Sequence, residues 1–302
     1  MLGVVAGGLV YLAWSLSTFA PSLTDFPLFY ATVEALVAHR VPAYPIFTIG
    51  SGAVRNLSPP HFHLLLVPLS PFSMEVARNL WRVESGLGVI LAIWVVRTRV
   101  EMSWIAAALW SAPMALLLIL GQVAGVLSVL LSLVWTSLRA ERWALAGICL
   151  GILVSMKLPF GLLVVWLVLE RRWRAVGFAV LGLVGACVVG VLWVGVEPYR
   201  EWASALLSIG RIDDGFNASW FALAQRALPE SLQSWFAWTG VAAISLMTLL
   251  QLKVRPDLTT RLLGVSLAAF LISPLGWVHY MAFVIGPLVV WLAQGNRWPP
   301  VA

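Results

Sequence analysis

The stretch ALAGICLGILVSMKLPFGLLVVWLVLERRWR, residues 144–174, decides the fold class. It holds two apolar runs, 144–156 and 160–169, with Lys157 between them and a basic segment behind the second. Apolar runs of this kind are typical of membrane helices. The rest of the chain agrees, because 61% of its 302 residues are hydrophobic and only 11% are charged, against about 25% in a soluble domain. The sequence therefore predicts an all-α polytopic membrane protein.

Ten apolar runs divide the chain, which we interpret as a single transmembrane domain over residues 1–302. The runs lie near 2–20, 77–96, 103–120, 123–138, 144–156, 160–169, 175–196, 233–252, 260–276 and 280–295. The first begins almost at Met1 without a basic leader or cleavage site, so we expect it to be retained as a span.

Basic segments indicate the orientation of these spans. They are RTR (97–99), RAERW (139–143), ERRWR (170–174), KVRPD (253–257) and Arg297, and two apolar runs separate each from the next. The positive-inside rule then places all five in the cytoplasm. The net charge of +6 follows from these short loops and does not indicate a nucleic-acid partner.

Two long loops, 21–76 and 197–232, fall on the opposite, extracytoplasmic side. The first carries an amphipathic helix pattern over 26–39 and the segment SPPHFHLLLVPLSPF, 58–72. The roughly 10 apolar residues of that segment are too few to cross a ~30 Å hydrocarbon core, and an eleventh crossing would break the alternation. We therefore expect 58–72 to be re-entrant or interfacial.

Three ionisable residues lie in apolar surroundings, where each is a functional candidate because burying a charge in a membrane is costly. Lys157 separates two runs that cover only roughly 20 and 15 Å as helix, which predicts a protein-lined cavity with Lys157 at its floor. Asp25 precedes the amphipathic helix, and His279 lies between the last two runs. Each has a structural alternative: a helix N-cap for Asp25, snorkelling for Lys157 and an interfacial position for His279.

Further polar residues fall on the same predicted side. His61 and His63 follow two prolines and suit an interface better than catalysis; Gln122 suits a turn, and Asn217 a helix cap. Arg55, Arg200, Arg211 and Arg226 lie in the outer loops. The sequence has no zinc-binding or phosphate-loop motif, so we expect no metal and no cofactor. This set suits an anionic lipid-linked substrate.

Six segments in order resemble the motifs of glycosyltransferase family 87, a family of GT-C membrane glycosyltransferases. They are TDFPLFYATVEALVAHRVPAY (24–44), NLSPPHFHLLLVPL (56–69), LILGQVAGVLSVLLSL (118–133), AGICLGILVSMKLPFGLLVVWLVLERRWRAV (146–176), NASWFALAQRAL (217–228) and ISPLGWVHY (272–280). The chain departs from the family pattern after Gln122, where Val-Ala stands in place of the usual Asn, and in the spacing of the proline after Lys157.

The resemblance implies a GT-C fold with about ten transmembrane helices around a lipid-open cavity, in a bacterial plasma membrane with the active site facing outwards. It also implies transfer of a sugar, usually mannose, from a polyprenyl-monophosphate donor to a lipid or glycan acceptor. Asp25 and His279 match residues associated with catalysis in the family. We assign the donor phosphate to Lys157, Arg55 and Arg226. The remaining substrate contacts are assigned to Tyr30, Tyr44, His61, Gln122, Asn217 and Tyr280.

Transfer to a hydroxyl needs a general base, and either Asp25 or His279 could serve. Cations must stabilise the departing phosphate, and a single displacement would invert the anomeric centre. Two other functions fit the composition: a lipid flippase or secondary transporter, although no convincing internal repeat is present, and a lipid-phosphate-binding scaffold without catalysis.

Overall fold

The computed structural model describes residues 25–40, 42–44, 47–49, 52–54, 56–96, 114–115, 119–207, 217–254 and 257–293. Its helices and strands are, in chain order, α1 Phe26–Val37, β1 Phe47–Ile49, β2 Gly52–Val54, α2 Met74–Val96, α3 Ala124–Arg139, α4 Trp143–Met156, α5 Gly161–Leu169, α6 Trp173–Val194, α7 Glu197–Leu207, α8 Trp220–Ala227, α9 Glu230–Val254, α10 Leu258–Ile272 and α11 Ile285–Ala293. Short 3₁₀ helices cover Pro60–Leu65, Val67–Leu69, Leu158–Phe160 and Val278–Val284.

Helices form at every predicted apolar run that the structure describes in full, which confirms an all-α membrane protein. Among the described residues, α2, α6 and α9 are long and apolar enough to span a membrane, and the other apolar helices are shorter. The predicted run 2–20 lies outside the described residues, as does most of 103–120. The last run differs from a plain helix, because 3₁₀ geometry over Val278–Val284 precedes α11.

The first long loop contains α1, a β-hairpin and two 3₁₀ helices. The hairpin pairs Phe47 with Val54 and Ile49 with Gly52, and it was not predicted from the sequence. Segment 58–72 forms no long helix: the six residues of Pro60–Leu65 extend about 12 Å as 3₁₀ helix. Segment 58–72 therefore contains no helix long enough to cross a bilayer, and its re-entrant or interfacial position stays a prediction.

Small residues bring the central helices close together. A Cβ atom added at Gly151 would lie 2.0 Å from the carbonyl oxygen of Ala179, and one added at Gly147 would lie 2.4 Å from that of Ala175. Glycines one turn apart on α4 thus face alanines one turn apart on α6. Close backbone approach of this kind is a common basis of helix association in membranes.

One end of the helix bundle collects the candidate site residues, and we call it the site end. The short 140–142 turn makes α3 and α4 antiparallel neighbours. The start of α3, just after Gln122, and the end of α4, just before Lys157, therefore both lie at the site end. The Val278–Val284 segment runs alongside the first turns of α3, with the Ser128 hydroxyl donating to the Ala282 carbonyl at 3.2 Å. His279 therefore also lies at the site end.

The opposite end is held by polar contacts near the basic segments. Arg261 of α10 pairs with Glu170 at 2.6 Å, and the Trp166 indole donates to the same carboxylate at 2.7 Å. The Trp135 indole of α3 donates to the Thr259 hydroxyl at 3.1 Å. These bonds tie α3, α5 and α10 together away from the candidate site residues.

Candidate functional site

Asp25 and Gln122 form one half of the candidate site. Asp25 stands immediately before α1, at the N-cap position, but its side chain makes no capping hydrogen bond. Its Oδ2 atom instead accepts a hydrogen bond from the Gln122 amide Nε2. The local capping role that the sequence allowed is therefore not the one that the carboxylate performs.

The backbone beneath this pair is fixed by neighbouring helices. The Asp25 N–H donates to the Leu120 carbonyl at 2.9 Å, the Trp81 indole donates to the Gly121 carbonyl at 2.8 Å, and the Ser85 hydroxyl donates to the Gln122 carbonyl at 3.1 Å. Trp81 and Ser85 belong to α2, and neither was predicted from the sequence as part of the site. Together these bonds fix the start of α1 against the turn before α3.

Gly121 is required at this turn for two reasons. Its φ of +68° lies in the left-handed region, which side chains with a Cβ rarely adopt. A Cβ at this position would also lie only 2.8 Å from the Cβ of Phe26. The glycine therefore lets α1 approach the residue that carries the amide.

His279, Lys157 and Tyr280 form the other half of the candidate site. The Lys157 ammonium donates to the Tyr280 hydroxyl at 3.1 Å and lies 4.9 Å from the centre of the same ring. The His279 ring stacks on Trp277 and meets Tyr280 edge-on. A cation, an imidazole and a phenol are thus brought together from two loops more than 120 positions apart in sequence.

His279 is the most unusual of these residues, because its side chain is only 1% exposed and makes no hydrogen bond within the described part of the chain. Neither Nδ1 nor Nε2 makes a hydrogen bond there. Buried polar groups normally find partners, and an exception calls for a specific explanation. A bound ligand that supplies a donor or acceptor is one such explanation.

Asn217 fixes the turn that leads into His279. Its Oδ1 accepts from the backbone N–H groups of Ser219 and Gly276, both at 3.1 Å, and its Nδ2 donates to the Pro274 carbonyl at 2.9 Å. Asn217 also forms a backbone bridge with Trp277. These bonds show that the side chain has a structural role, whereas the sequence suggested a helix cap or a substrate contact.

The two histidines of the first loop differ in their surroundings. His63 is completely buried and both of its nitrogens are occupied, since Nε2 lies 2.7 Å from the Asn56 amide and Nδ1 lies 3.1 Å from the Pro59 carbonyl. His61 Nδ1 lies 2.9 Å from the Tyr199 hydroxyl of α7, while its Nε2 is buried without a partner among the described residues. His63 is therefore structural, and His61 remains a candidate contact.

The other predicted contacts are occupied by the protein or lie elsewhere. Tyr30 donates its hydroxyl to the Phe72 carbonyl, and Tyr44 donates to the Ser58 carbonyl at 2.8 Å. Arg226 is exposed and donates to the Asn217 carbonyl at 3.0 Å. Arg55 lies outside the described residues.

The two halves of the site have complementary chemistry and lie at the same end of the bundle. One half offers a carboxylate held by an amide, and the other offers an ammonium group beside an imidazole and a phenol. Within the described ranges, no three His, Cys, Asp or Glu side chains are placed to hold a metal ion. Carboxylate, imidazole and ammonium groups can move a proton and hold an anion.

Comparison with known proteins identifies the family. The family model for glycosyltransferase family 87 matches residues 56–274, a range that holds Gln122, Lys157 and Asn217. The chain belongs to glycosyltransferase family 87. This confirms the resemblance seen in the sequence motifs.

Two relatives of this family 87 chain carry the same name, polyprenol-phosphate-mannose-dependent alpha-(1-2)-phosphatidylinositol pentamannoside mannosyltransferase. The one from Mycolicibacterium smegmatis is 28% identical over 287 residues, which cover 88% of this chain and 65% of the relative. The one from Mycobacterium tuberculosis is 30% identical over 202 residues, which cover 64% of this chain and 46% of the relative. The chain thus spans less than two thirds of the length of either relative. No solved structure was found to match it.

Proposed function

We propose that this protein is a membrane mannosyltransferase that uses a polyprenyl-phosphate mannose donor and a lipid or glycan acceptor. Family membership and the names of the two relatives support the reaction class. The observation that carries the proposal is the buried His279, which lies beside the Lys157–Tyr280 pair. Neither of its ring nitrogens makes a hydrogen bond to the described residues. Such a group is suited to a polar ligand that enters this end of the bundle.

In the proposed reaction Asp25 is the general base. As the acceptor hydroxyl oxygen attacks the anomeric carbon of mannose, Asp25 takes the hydroxyl proton. A carboxylate that accepts an amide hydrogen bond is stabilised as an anion, and an anion is the form that can accept a proton. Half-buried Asp25 also remains closer to solvent than His279, which suits a group that must later release the proton.

Lys157, His279 and Tyr280 then form the donor side. The bond between the anomeric carbon and the phosphate oxygen breaks, and its electron pair leaves with the polyprenyl phosphate. The Lys157 ammonium would stabilise this growing negative charge, and a His279 N–H would donate to a phosphate oxygen. Burial, as the larger cause, and the nearby Lys157 charge, as the smaller one, both lower the pKa of His279, so the neutral imidazole is the form proposed here.

The proposed topology is a GT-C fold with about ten spans, in which the site end faces the extracytoplasmic side of a bacterial plasma membrane. The basic segments next to the opposite end support this orientation. The short helices α4 and α5, with Lys157 between them, support a cavity that a prenyl chain can enter from the lipid. A single displacement from one face of the sugar would invert the anomeric configuration.

The test uses purified protein in lipid nanodiscs with polyprenyl-phosphate mannose and extracted phosphatidylinositol mannosides, with mass spectrometry of the lipids. We expect the acceptor mass to rise by one hexose with wild type. Asp25→Asn and His279→Ala should each lower the transfer rate about 100-fold or more. Transfer near the wild-type rate by both variants would remove the mechanism.

Matched controls come from the same chain. Asp257 caps α10 at the opposite end, where it accepts from the Thr260 N–H at 2.8 Å, and His39 is exposed. Asp257→Asn and His39→Ala should therefore keep transfer close to wild type. Movement of labelled prenyl phosphate across vesicles without any sugar transfer would instead support a flippase.

A further inference from the structure

The carboxylate of Asp25 is directed by a residue distant in the sequence. Asp at an N-cap position ordinarily accepts a bond from the second or third N–H of its own helix, yet Asp25 makes no such bond. It accepts instead from Gln122, 97 positions away in the sequence. This non-local contact turns the carboxylate away from α1.

The orientation of the Gln122 amide is set by its surroundings. Gln122 is only 4% exposed, and its Oε1 is buried without a partner in the described part of the chain. The opposite orientation would place Oε1 against the Asp25 carboxylate oxygen and leave the two Nε2 hydrogens without that acceptor. The amide therefore offers its N–H to the carboxylate.

The backbone of both residues is fixed before any ligand arrives. The Asp25 N–H donates to the Leu120 carbonyl at 2.9 Å, and Ser85 and Trp81 hold the carbonyls of Gln122 and Gly121. Two hydrogen bonds thus connect the Asp25 residue to the turn before α3. A rigid support of this kind reduces the rotation that a catalytic side chain must lose during the reaction.

We propose that Gln122 is the positioning residue of the base: its amide N–H orients the Asp25 carboxylate and holds it in the ionised form. This inference rests on the proposed function, in which Asp25 takes the proton of the acceptor hydroxyl. A hydrogen bond to the charged form lowers the pKa of a carboxyl group. Removal of the donor therefore raises the pKa of Asp25 and reduces the fraction that can act as base at a given pH.

The test is the pH dependence of kcat/KM for transfer in nanodiscs. Gln122→Met keeps the length of the side chain but has no donor, and should move the acidic limb of the profile upwards by about one pH unit. Gln122→Glu places a second carboxylate beside Asp25 and should move the limb further, because two carboxylates at one site raise one of their pKa values strongly. Above the limb, Gln122→Met should still transfer more slowly than wild type, because the carboxylate is ionised there but is no longer oriented.

Gln251 provides the matched control, because its amide donates to the Thr260 carbonyl at 2.9 Å at the opposite end of the bundle. Gln251→Met should leave the limb at the wild-type pH. Limbs at the wild-type pH in both Gln122 variants, with a rate lowered equally at every pH, would overturn the positioning role. Failure of the proposed function would give a different result, namely undiminished transfer by Asp25→Asn. If one Gln122 variant fails to fold, the pH profile of the other variant decides.

Discussion

Asn217→Ala should destabilise the protein and disturb the site, although Asn217 does not belong to the reacting groups. The side chain is completely buried. Its removal leaves the backbone N–H groups of Ser219 and Gly276 without their acceptor. The Pro274 carbonyl is less affected, because the Ser219 hydroxyl also donates to it at 3.2 Å.

The magnitude follows from these lost bonds. Each buried N–H that is left without a partner costs about 1–3 kcal/mol, so two of them reduce the free energy of unfolding by about 3 kcal/mol. For 302 residues, an unfolding entropy of about 2.1 cal/mol/K per residue converts this loss into a lowering of Tm by roughly 5 °C. The turn over Ser273–Trp277 should also become less rigid, and the stacking of His279 on Trp277 depends on that turn.

The assay measures thermal unfolding by intrinsic fluorescence in detergent, together with transfer well below Tm. Asn79→Ala is a suitable control, since Asn79 is exposed and surface substitutions change stability by about 0.5 kcal/mol or less. We expect a lower Tm and a transfer rate reduced beyond the loss of folded protein. A Tm within about 2 °C of wild type, with normal transfer, would refute this assignment of the Asn217 bonds.

Two further predictions concern other supports of the site. Gly121→Ala should lower the stability by about 3 kcal/mol, because a left-handed backbone and a crowded Phe26 side chain both oppose the new methyl group; a Tm equal to wild type would contradict this. Burial lowers the pKa of His63 to about 3, against about 6.5 in the unfolded chain. The unfolded chain therefore binds a proton at His63 more readily than the folded protein does. The free energy of unfolding is highest above pH 6.5 and decreases as the pH falls towards 3, by about 2 kcal/mol at pH 5. Denaturant titrations at pH 7 and 5 should show this loss of unfolding free energy in wild type and a smaller loss in His63→Gln. Equal losses in the two proteins would contradict the prediction.

The helical segments could be predicted from the sequence because hydrophobic runs are local signals. The break at Lys157 is an example: the polar residue and the following proline mark the end of α4, and the structure begins a 3₁₀ turn there. The hairpin was missed, although Phe47–Ile49 and Gly52–Val54 flank Gly50-Ser51, a pair that suits a two-residue β-turn.

The partners of the site residues could not be predicted in the same way. Local rules give Asp25 a capping role, but Gln122 provides a donor that is 97 positions away. His61 and His63 are two residues apart in one motif, yet Asn56 satisfies the second and α7 contacts the first. Which side chain meets which is determined by the packing of distant helices, and one sequence carries no direct record of that packing.

The contacts of α7 have a consequence for the order of folding. Tyr199 bonds His61 across 138 positions, and Glu201 accepts from the backbone N–H groups of Ala43 and Tyr44 at 2.8 and 3.1 Å. Translation proceeds at about 5–20 residues per second, so the first loop must wait roughly 7 to 30 s before α7 has been synthesised. During that interval α2 to α6 are synthesised ahead of α7. The first loop is made early but completed late, and a chain stopped before residue 199 would lack the contacts that hold His61 in place.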